Sequence, residues 1–183
     1  LVLDGNAAQT VTQSGVALGA VTVANTATSP VGVSWSGALS CSSLTMNDGD
    51  VTLPNAANAV SGSVDTSGGA ADRVFTLTAL GGFSVGGALN LTNVGTFTHN
   101  NVVTTFTGGG DFTLTTGGQT LPIRINKTAV GDVITTAGVS AFTTVTVDQG
   151  TLDLGADASA SGLVDLNGGL YDTNAVTVAH NGG

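Results

Sequence analysis

The chemistry open to this chain depends first on its three cations, which are Arg73, Arg124 and Lys127. A polysaccharide lyase needs a strong base beside carboxylates that hold the sugar, and a glycosidase needs paired carboxylates within about 10 Å. Arg124 and Lys127 lie three residues apart on one strand-like segment, so a regular strand places them on opposite faces. The nearest acid, Asp132, follows in the next turn. We therefore expect no catalytic residue, and Arg124 and Lys127 are predicted to be a solvated pair of charges.

The histidines and the cysteine give weak signals for a metal or a nucleophile. His99 and His180 occupy similar slots in two repeat blocks, but intervening strands separate them and no carboxylate is adjacent. We expect both to be turn residues that face water. Cys41 is the only cysteine, which excludes an intrachain disulfide and a thiolate metal cluster. A small buried hydrophobic residue is its expected role.

The best metal candidate is Asp48 with Asp50, in the segment Asn47-Asp48-Gly49-Asp50. Closely spaced Asp and Asn oxygens suit Ca²⁺, but the remaining ligands of a calcium-binding loop are missing. An Asp-Gly turn between two strands explains the same residues without a metal. Both interpretations stay open at this point, and the plain turn is favoured.

Two short segments match the acceptor pattern for N-linked glycans. They begin at Asn90 and Asn126. The pattern is short and often occurs by chance, so we assign a glycan to neither.

Composition indicates an all-β chain. The 183 residues include 28 Gly, and all twelve acids are Asp. Glu, Lys and Arg, which favour helices, are almost absent, whereas Thr, Ser, Asn and Gly favour strands and turns. The net charge of −9 makes nucleic acid an unsuitable partner. No apolar run reaches the ~18 residues of a membrane span, so membrane insertion is not expected.

Short alternating strands recur between glycines, as in Phe75–Thr78, Leu89–Thr92 and Leu152–Leu154. Strands this short bury their apolar face only by stacking on further copies, which predicts a parallel β-helix, or β-solenoid. An antiparallel β-sandwich is the alternative. The repeat blocks are about 30 to 35 residues long, and a turn of ~20 to 35 residues predicts about five to nine turns in a rod of ~25 to 45 Å.

The repeats are predicted to form one domain over residues 1–183. Residues 1–45, with Ser29, Pro30 and Trp35, fit the rhythm least and are expected to be a cap or a junction. The chain starts at Leu1 rather than Met, so we expect a processed product or a piece of a longer protein. No capping helix is predicted at either end.

The segments 145–154 and 163–170 resemble the degenerate β-strand repeats of bacterial autotransporter passengers and filamentous-haemagglutinin-like adhesins. Ile123–Thr128 and Phe142–Val147 resemble the start of a turn in the same proteins. The resemblance covers about two thirds of the chain. It implies a β-helix fold, secretion and a structural or adhesive role, with no catalytic residues or cofactor to transfer.

Elements of the form Thr-x-Thr raise the possibility of ice binding. They include Thr76–Thr78, Thr96–Thr98, Thr113–Thr115 and Thr144–Thr146. Their irregular spacing along the sequence argues against a regular array, and Thr is also a good strand residue on a half-exposed face.

The sequence therefore predicts a non-enzymatic, extracellular structural or adhesive β-solenoid at the cell surface. We expect it to associate end to end with copies of itself or with adjacent segments of a longer chain, because uncapped strand edges invite pairing. Host or matrix glycans are a further candidate partner. The alternative function is a carbohydrate-binding or carbohydrate-degrading β-helix, although the single Trp35 and the single Tyr171 lie far apart in sequence.

Overall fold

The strands of this chain stack in parallel as a β-solenoid. A computed structural model describes residues 1–27, 32–69 and 71–174, together with the backbone of residues 178–180. In these residues the secondary structure is all β, with no helix. Each strand pairing among them is parallel. The predicted β-solenoid is confirmed, and the antiparallel sandwich is excluded.

The described strands are short, and most have five residues or fewer. In chain order they are β1 (Val2–Gly5), β2 (Gln9–Thr12), β3 (Leu18–Asn25), β4 (Val33–Ser36), β5 (Ser40–Asp48), β6 (Val51–Leu53), β7 (Ala57–Val60), β8 (Val64–Asp65), β9 (Arg73–Leu77), β10 (Gly82–Val85), β11 (Leu89–Asn90), β12 (Val94–Thr98), β13 (Thr104–Phe106), β14 (Phe112–Thr115), β15 (Thr120–Asn126), β16 (Val133–Thr136), β17 (Ser140–Gln149), β18 (Thr151–Asp153), β19 (Ala158–Ala160), β20 (Val164–Leu166), β21 (Leu170–Asp172) and β22 (Val178–His180).

Stacked strands form three columns that run along the solenoid. The first column contains β7, β10, β13 and β20, with parts of the longer strands β3, β5, β15 and β17. The second contains β1, β8, β11, β14, β16, β18 and β21, with the rest of β3 and β5. The third contains β2, β4, β6, β9, β12, β19 and β22, with the first residues of β15 and β17. The chain makes about 8 turns.

One turn is shorter than the repeat blocks predicted from the sequence. Paired residues are separated by as few as 18 positions, as for Val133 and Thr151, and by as many as 25, as for Ala57 and Gly82. These spacings lie at the short end of the predicted turn of ~20 to 35 residues, and the repeat blocks of about 30 to 35 residues are longer than one turn. Glycines occur at corners within a turn as well as between turns. For this reason each repeat block read from the sequence includes one whole turn and part of the next. The number of turns and a length of about 40 Å agree with the prediction.

Alternate residues of each strand point into the solenoid and form one continuous core. In the first column the inward position is held on successive turns by Cys41, Val60, Val85, Phe106, Ile125 and Val147, all buried. Apolar burial of this kind supplies the main stabilising free energy that a single short strand lacks.

Buried amide side chains replace backbone partners where the chain turns a corner. Asn58 is 3% exposed, accepts a hydrogen bond from the Leu39 N–H at 2.9 Å, and donates to the Pro54 and Ala56 carbonyls at 3.0 Å each. Because buried polar groups need partners, such an amide holds adjacent corners in register.

The side chain of Gln119 joins the two parts of the third column. Strand β12 has no paired strand on its later side among the described residues, and β15 starts one residue after Gln119. The Gln119 amide accepts a hydrogen bond from the Phe97 N–H at 3.0 Å and donates to the Val94 carbonyl at 2.8 Å. These bonds take the place of a strand pairing and keep the column continuous.

The first strands follow the same parallel stacking as the rest. Strand β1 pairs with β3, and β2 pairs with β4. Trp35 in β4 points inward and is 5% exposed. Ser29 and Pro30 lie outside the described residues. The assignment of residues 1–45 as a cap or junction stays a prediction.

Candidate functional site

Arg73, the first residue of β9, is buried inside the solenoid and is 1% exposed. Its guanidinium donates to the carbonyls of Met46, Thr66 and Asn93, which lie on three successive turns. Burial lowers the pKa of Arg73, and Asp48 with other nearby carboxylates opposes this effect. The side chain therefore links three successive turns.

The Asp48–Asp50 corner forms one wall of a cavity beside Arg73. The cavity has a volume of about 350 Å³, and its lining includes Asp72. The Gly49 N–H donates to Asp48 Oδ1 at 2.8 Å, and Asp50 Oδ1 accepts a hydrogen bond from the N–H of Val74 at 2.9 Å.

Gly49 fixes the path of the chain at this corner. Its φ of +79° is left-handed, and a Cβ atom there would lie 2.1 Å from the Asn25 carbonyl oxygen. The predicted Asp-Gly turn is confirmed. Among the described residues, no group of three or more His, Cys, Asp or Glu side chains is placed to hold a metal ion.

The prediction of a solvated pair of charges is wrong for Lys127, which is buried. It is 2% exposed, and its Nζ atom has no hydrogen-bond partner among the described residues. Nζ lies 3.8 Å from the centroid of the Phe112 ring. Burial lowers the pKa of Lys127, and the charges of Asp132 and Asp111 oppose this effect. The sequence contained the signal, because Lys127 falls on the same side of the alternation as the buried Ile125.

Arg124 behaves as predicted for a surface cation. It lies in β15 on the face opposite Lys127, its side chain is 51% exposed, and its Nε donates to Asp148 Oδ2 of the next turn. Asp148 also accepts a hydrogen bond from Asn167 at 3.0 Å. The bonds to Arg124 and Asn167 lower the pKa of Asp148. Arg124, Asp148 and Asn167 together link three successive turns on the outer surface.

The histidines are not brought together. His99 follows β12 and is half-buried, and its Nδ1 accepts a hydrogen bond from the Asn101 N–H at 3.0 Å. Burial lowers the pKa of His99. His180 lies in β22, four turns further along the third column, or about 19 Å away. The side chain of His180 is outside the described residues.

Cys41 is confirmed as a buried hydrophobic residue. It is 2% exposed, and burial raises the pKa of its thiol to about 11. A thiol in this state is a poor nucleophile at neutral pH, since the thiolate is the reactive form. The structure supports a packing role for Cys41.

The two acceptor asparagines differ in their surroundings. Asn126 is exposed at the end of β15. Asn90 is half-buried in β11, and its Oδ1 accepts a hydrogen bond from the Thr92 N–H at 3.0 Å. Asn126 is therefore the more accessible of the two acceptor residues.

The outer surface of the first column has two shallow grooves that share Val103 as a lining residue. Their volumes are about 300 and 250 Å³. Most of the lining side chains are small or hydroxylic, among them Ala57, Ala59, Ser84, Thr105, Thr143 and Thr144. Trp35 is buried and Tyr171 is half-buried, so neither offers an open ring face for stacking on a sugar at these grooves.

The last described turn leaves an inward position partly uncovered. Leu166 in β20 continues the core column that contains Val147, yet Leu166 is 51% exposed whereas Val147 is 0% exposed. Strand β20 pairs with β17 on one side, and its other edge has no paired strand among the described residues. In the part of the chain that the structure describes, this edge therefore presents apolar surface together with backbone groups that no strand pairs.

Comparison of the chain with protein-family models, with curated proteins and with solved structures gave no match in any of the three. The described residues contain no helix long and apolar enough to cross a membrane.

Proposed function

We propose that this chain is a non-enzymatic structural or adhesive β-solenoid that associates end to end. Its partners are copies of itself or adjacent segments of a longer chain, in a bacterial surface protein or an extracellular filament. The placement at the cell surface rests on the resemblance of segments 145–154 and 163–170 to the repeats of secreted adhesins. Host or matrix glycans are secondary partners in this proposal.

The observation that carries the proposal is the exposure of Leu166. Each earlier inward residue of its column, including Ile125 and Val147, is covered by the next turn. Burying the uncovered part of a leucine side chain contributes about 1 kcal/mol, and backbone pairing along β20 adds to it. A further parallel strand, from flanking chain or from a second copy, covers Leu166 and also pairs with the backbone of β20. A contact between unlike ends does not close on itself and so produces a filament.

The placement of the cations supports a non-enzymatic role. Arg73 donates to backbone carbonyls inside the solenoid, and Lys127 is enclosed above an aromatic ring. Arg124, the exposed cation, is paired with Asp148. Stabilising a developing negative charge requires a donor directed at the reacting atoms, whereas these three side chains are directed at the solenoid itself.

Electron microscopy of the purified chain and two variants tests the proposal. Lys protects natural strand edges against pairing, so Leu166→Lys is expected to shorten or abolish the rods that the unmodified chain forms. Val139→Lys is the matched control, because Val139 is 73% exposed at the corner before β17, a strand that is paired on both edges. It is expected to leave the rods unchanged. Isolated globular particles from the unmodified chain, or rods of equal length from Leu166→Lys, would overturn the proposal.

A further inference from the structure

The corner that follows β12 holds two adjacent residues in the left-handed conformation. Asn100 has a φ of +48° and Asn101 a φ of +62°. Left-handed backbone is unfavourable for a residue that carries a side chain. Where two such residues adjoin at another corner, both are glycines, Gly117 and Gly118. The conformation of Asn100 and Asn101 therefore depends on the hydrogen bonds that hold this corner.

Three hydrogen bonds hold the corner, and His99 takes part in two of them. Asn100 Nδ2 donates to the Leu77 carbonyl of the preceding turn at 2.7 Å. His99 Nδ1 accepts a hydrogen bond from the Asn101 N–H at 3.0 Å. The Val102 N–H donates to the His99 carbonyl at 2.7 Å. The imidazole of His99 thus fixes the second of the two left-handed residues directly.

The bond to Asn101 defines the protonation state of His99. A backbone N–H can only donate, so Nδ1 must accept and carries no proton. The imidazole is therefore neutral, with its proton on Nε2. In the imidazolium both ring nitrogens carry a proton, and Nδ1–H and the Asn101 N–H would then be directed at each other. The closed corner excludes the protonated form of His99.

Elsewhere the same bond is made by a side-chain oxygen. At four other strand ends, the oxygen of one residue accepts a hydrogen bond from the N–H two residues later. The pairs are Asn25 with Ala27, Asp65 with Ser67, Asn90 with Thr92, and Asp172 with Asn174, at 2.8 to 3.0 Å. An amide oxygen accepts such a bond at any pH near neutrality, whereas an imidazole nitrogen accepts it only while unprotonated. His99 therefore makes this corner sensitive to pH.

The elements packed around His99 contribute no charge that opposes this titration. Strands β10, β12 and β13 and the neighbouring corners, residues 78–81 and 119–122, contain no titratable side chain. The charged residue of β9 is Arg73, which lies opposite Val94 at the far end of the strand pair, roughly 15 Å away. Burial lowers the pKa of His99, without a contribution from a charged group among the described residues. The imidazolium thus has no carboxylate partner in the closed corner.

The corner is also weakly attached to the turn that follows it. In the described part of the chain, β12 has no paired strand on its later side, and Gln119 bonds only to Val94 and Phe97. Between Phe97 and Thr104, no backbone hydrogen bond joins the described residues of this corner to the next turn. Strand pairing resumes at Thr104, which pairs with Ile123. The corner can therefore open while the strands on either side stay paired.

We propose that His99 is a pH-sensitive latch that keeps this corner closed at neutral pH and releases it in mild acid. Protonation of Nδ1 breaks the bond to Asn101, and the open corner uncovers Val102, which is 3% exposed when the corner is closed. Because the pKa of His99 is lowered from 6.5 in the closed corner, the open corner binds the proton more readily. The closed corner therefore loses stability as the pH falls below 6.5. The latch does not depend on the end-to-end association proposed above.

Hydrogen exchange at the Asn101 amide, measured at about pH 7.5 and about pH 5, tests the proposal. Each rate is corrected for the intrinsic exchange of an unprotected amide. Protection of Asn101 is expected to fall about tenfold in acid, since one hydrogen bond is lost, and protection of Val102 is expected to fall with it. Protection in β9 is expected to remain, because the opening is local.

Three variants separate the latch from other causes. His99→Asn supplies an oxygen of the kind that makes this bond at Asn25 and Asn90, and is expected to keep Asn101 protected at both pH values. His99→Leu has no acceptor and is expected to leave Asn101 unprotected at both. His180→Asn removes the other histidine and is the matched control, which is expected to behave like the unmodified chain.

Thermal unfolding verifies that each variant is folded, and His99→Asn keeps the test complete should His99→Leu not fold. Equal protection of Asn101 at the two pH values in the unmodified chain would overturn the proposal. The same acid loss in His99→Asn, or no acid loss in His180→Asn, would also overturn it. Parallel loss of protection in β9 would show global unfolding instead of a local latch, and would overturn it as well.

Discussion

The ammonium group of Lys127 lies 3.8 Å above the ring of Phe112, enclosed in the solenoid. A cation above an aromatic ring gains electrostatic attraction, yet burial without a hydrogen-bond partner among the described residues disfavours the charged form. Burial accordingly lowers the pKa of Lys127, against the opposing charges of Asp132 and Asp111. The protonated side chain thus decreases the free energy of unfolding at neutral pH.

Lys127→Met is expected to be as stable as the unmodified chain at pH 7, or more stable. Because the pKa of Lys127 is lower in the folded state, the unfolded chain binds more protons between the folded value and the ordinary value of 10.5. The unmodified chain therefore gains stability relative to Lys127→Met as the pH rises through this range. Urea unfolding of both proteins from pH 7 to about pH 10 measures the difference. A constant difference across that range would contradict the account.

Arg73→Met is expected to destabilise the chain by about 3 to 5 kcal/mol, because buried carbonyls on three turns lose their donor. Arg124→Met is the matched comparison, since Arg124 belongs to an exposed ion pair. Its expected cost is less than about 1 kcal/mol. Urea denaturation of the two variants measures both values. Equal losses for the two variants would show that the guanidinium of Arg73 does not join the turns.

Cys41 is expected to resist thiol reagents in the folded chain at neutral pH, and to react on addition of denaturant. Since burial raises the pKa of Cys41 from 9.0 to about 11, its contribution to stability is complete below pH 9.0 and is lost as the pH rises toward about 11. Cys41→Ala has no thiol to ionise, so this variant is expected not to lose stability for this reason over the same pH range. Rapid labelling of the native protein would be inconsistent with a buried thiol.

Gln119→Ala is expected to cost about 1 to 3 kcal/mol, because the Phe97 N–H and the Val94 carbonyl lose their partner. Amide hydrogen exchange at Phe97 is expected to accelerate more than exchange in β9. Gln149→Ala is a suitable control, since the Gln149 side chain makes a longer bond of 3.3 Å to the Thr128 carbonyl at an exposed site. Unchanged exchange at Phe97 would mean that Gln119 does not join the column.

The fold was predictable from the sequence because strand alternation and glycine corners are local signals. Segments such as Phe75–Leu77 and Leu152–Leu154 bury the residues that the alternation indicates. The length of one turn was predictable only as a range of ~20 to 35 residues, because corners of different length separate the strands and a corner within a turn resembles one between turns. Neighbours across turns on the outer surface could not be predicted for the same reason, since Ser34 and Thr52 are brought together only by the register.

The buried cations carry two conflicting signals in the sequence. Arg73 lies two residues before Phe75, and Lys127 lies two residues after Ile125. Residues two apart on a strand share one face, so the alternation places both cations on the inward side. Their charge indicates exposure, which is the usual outcome for Arg and Lys. The partners that compensate Arg73 lie on other turns, and no local pattern indicates them.

The central claim is that the solenoid associates end to end, and sedimentation velocity at micromolar concentration tests it most directly. We predict elongated species whose masses are multiples of 17.7 kDa and whose proportion increases with concentration. Leu166→Lys should shift the distribution toward the single chain. A single sedimenting species of 17.7 kDa at every concentration would contradict the claim.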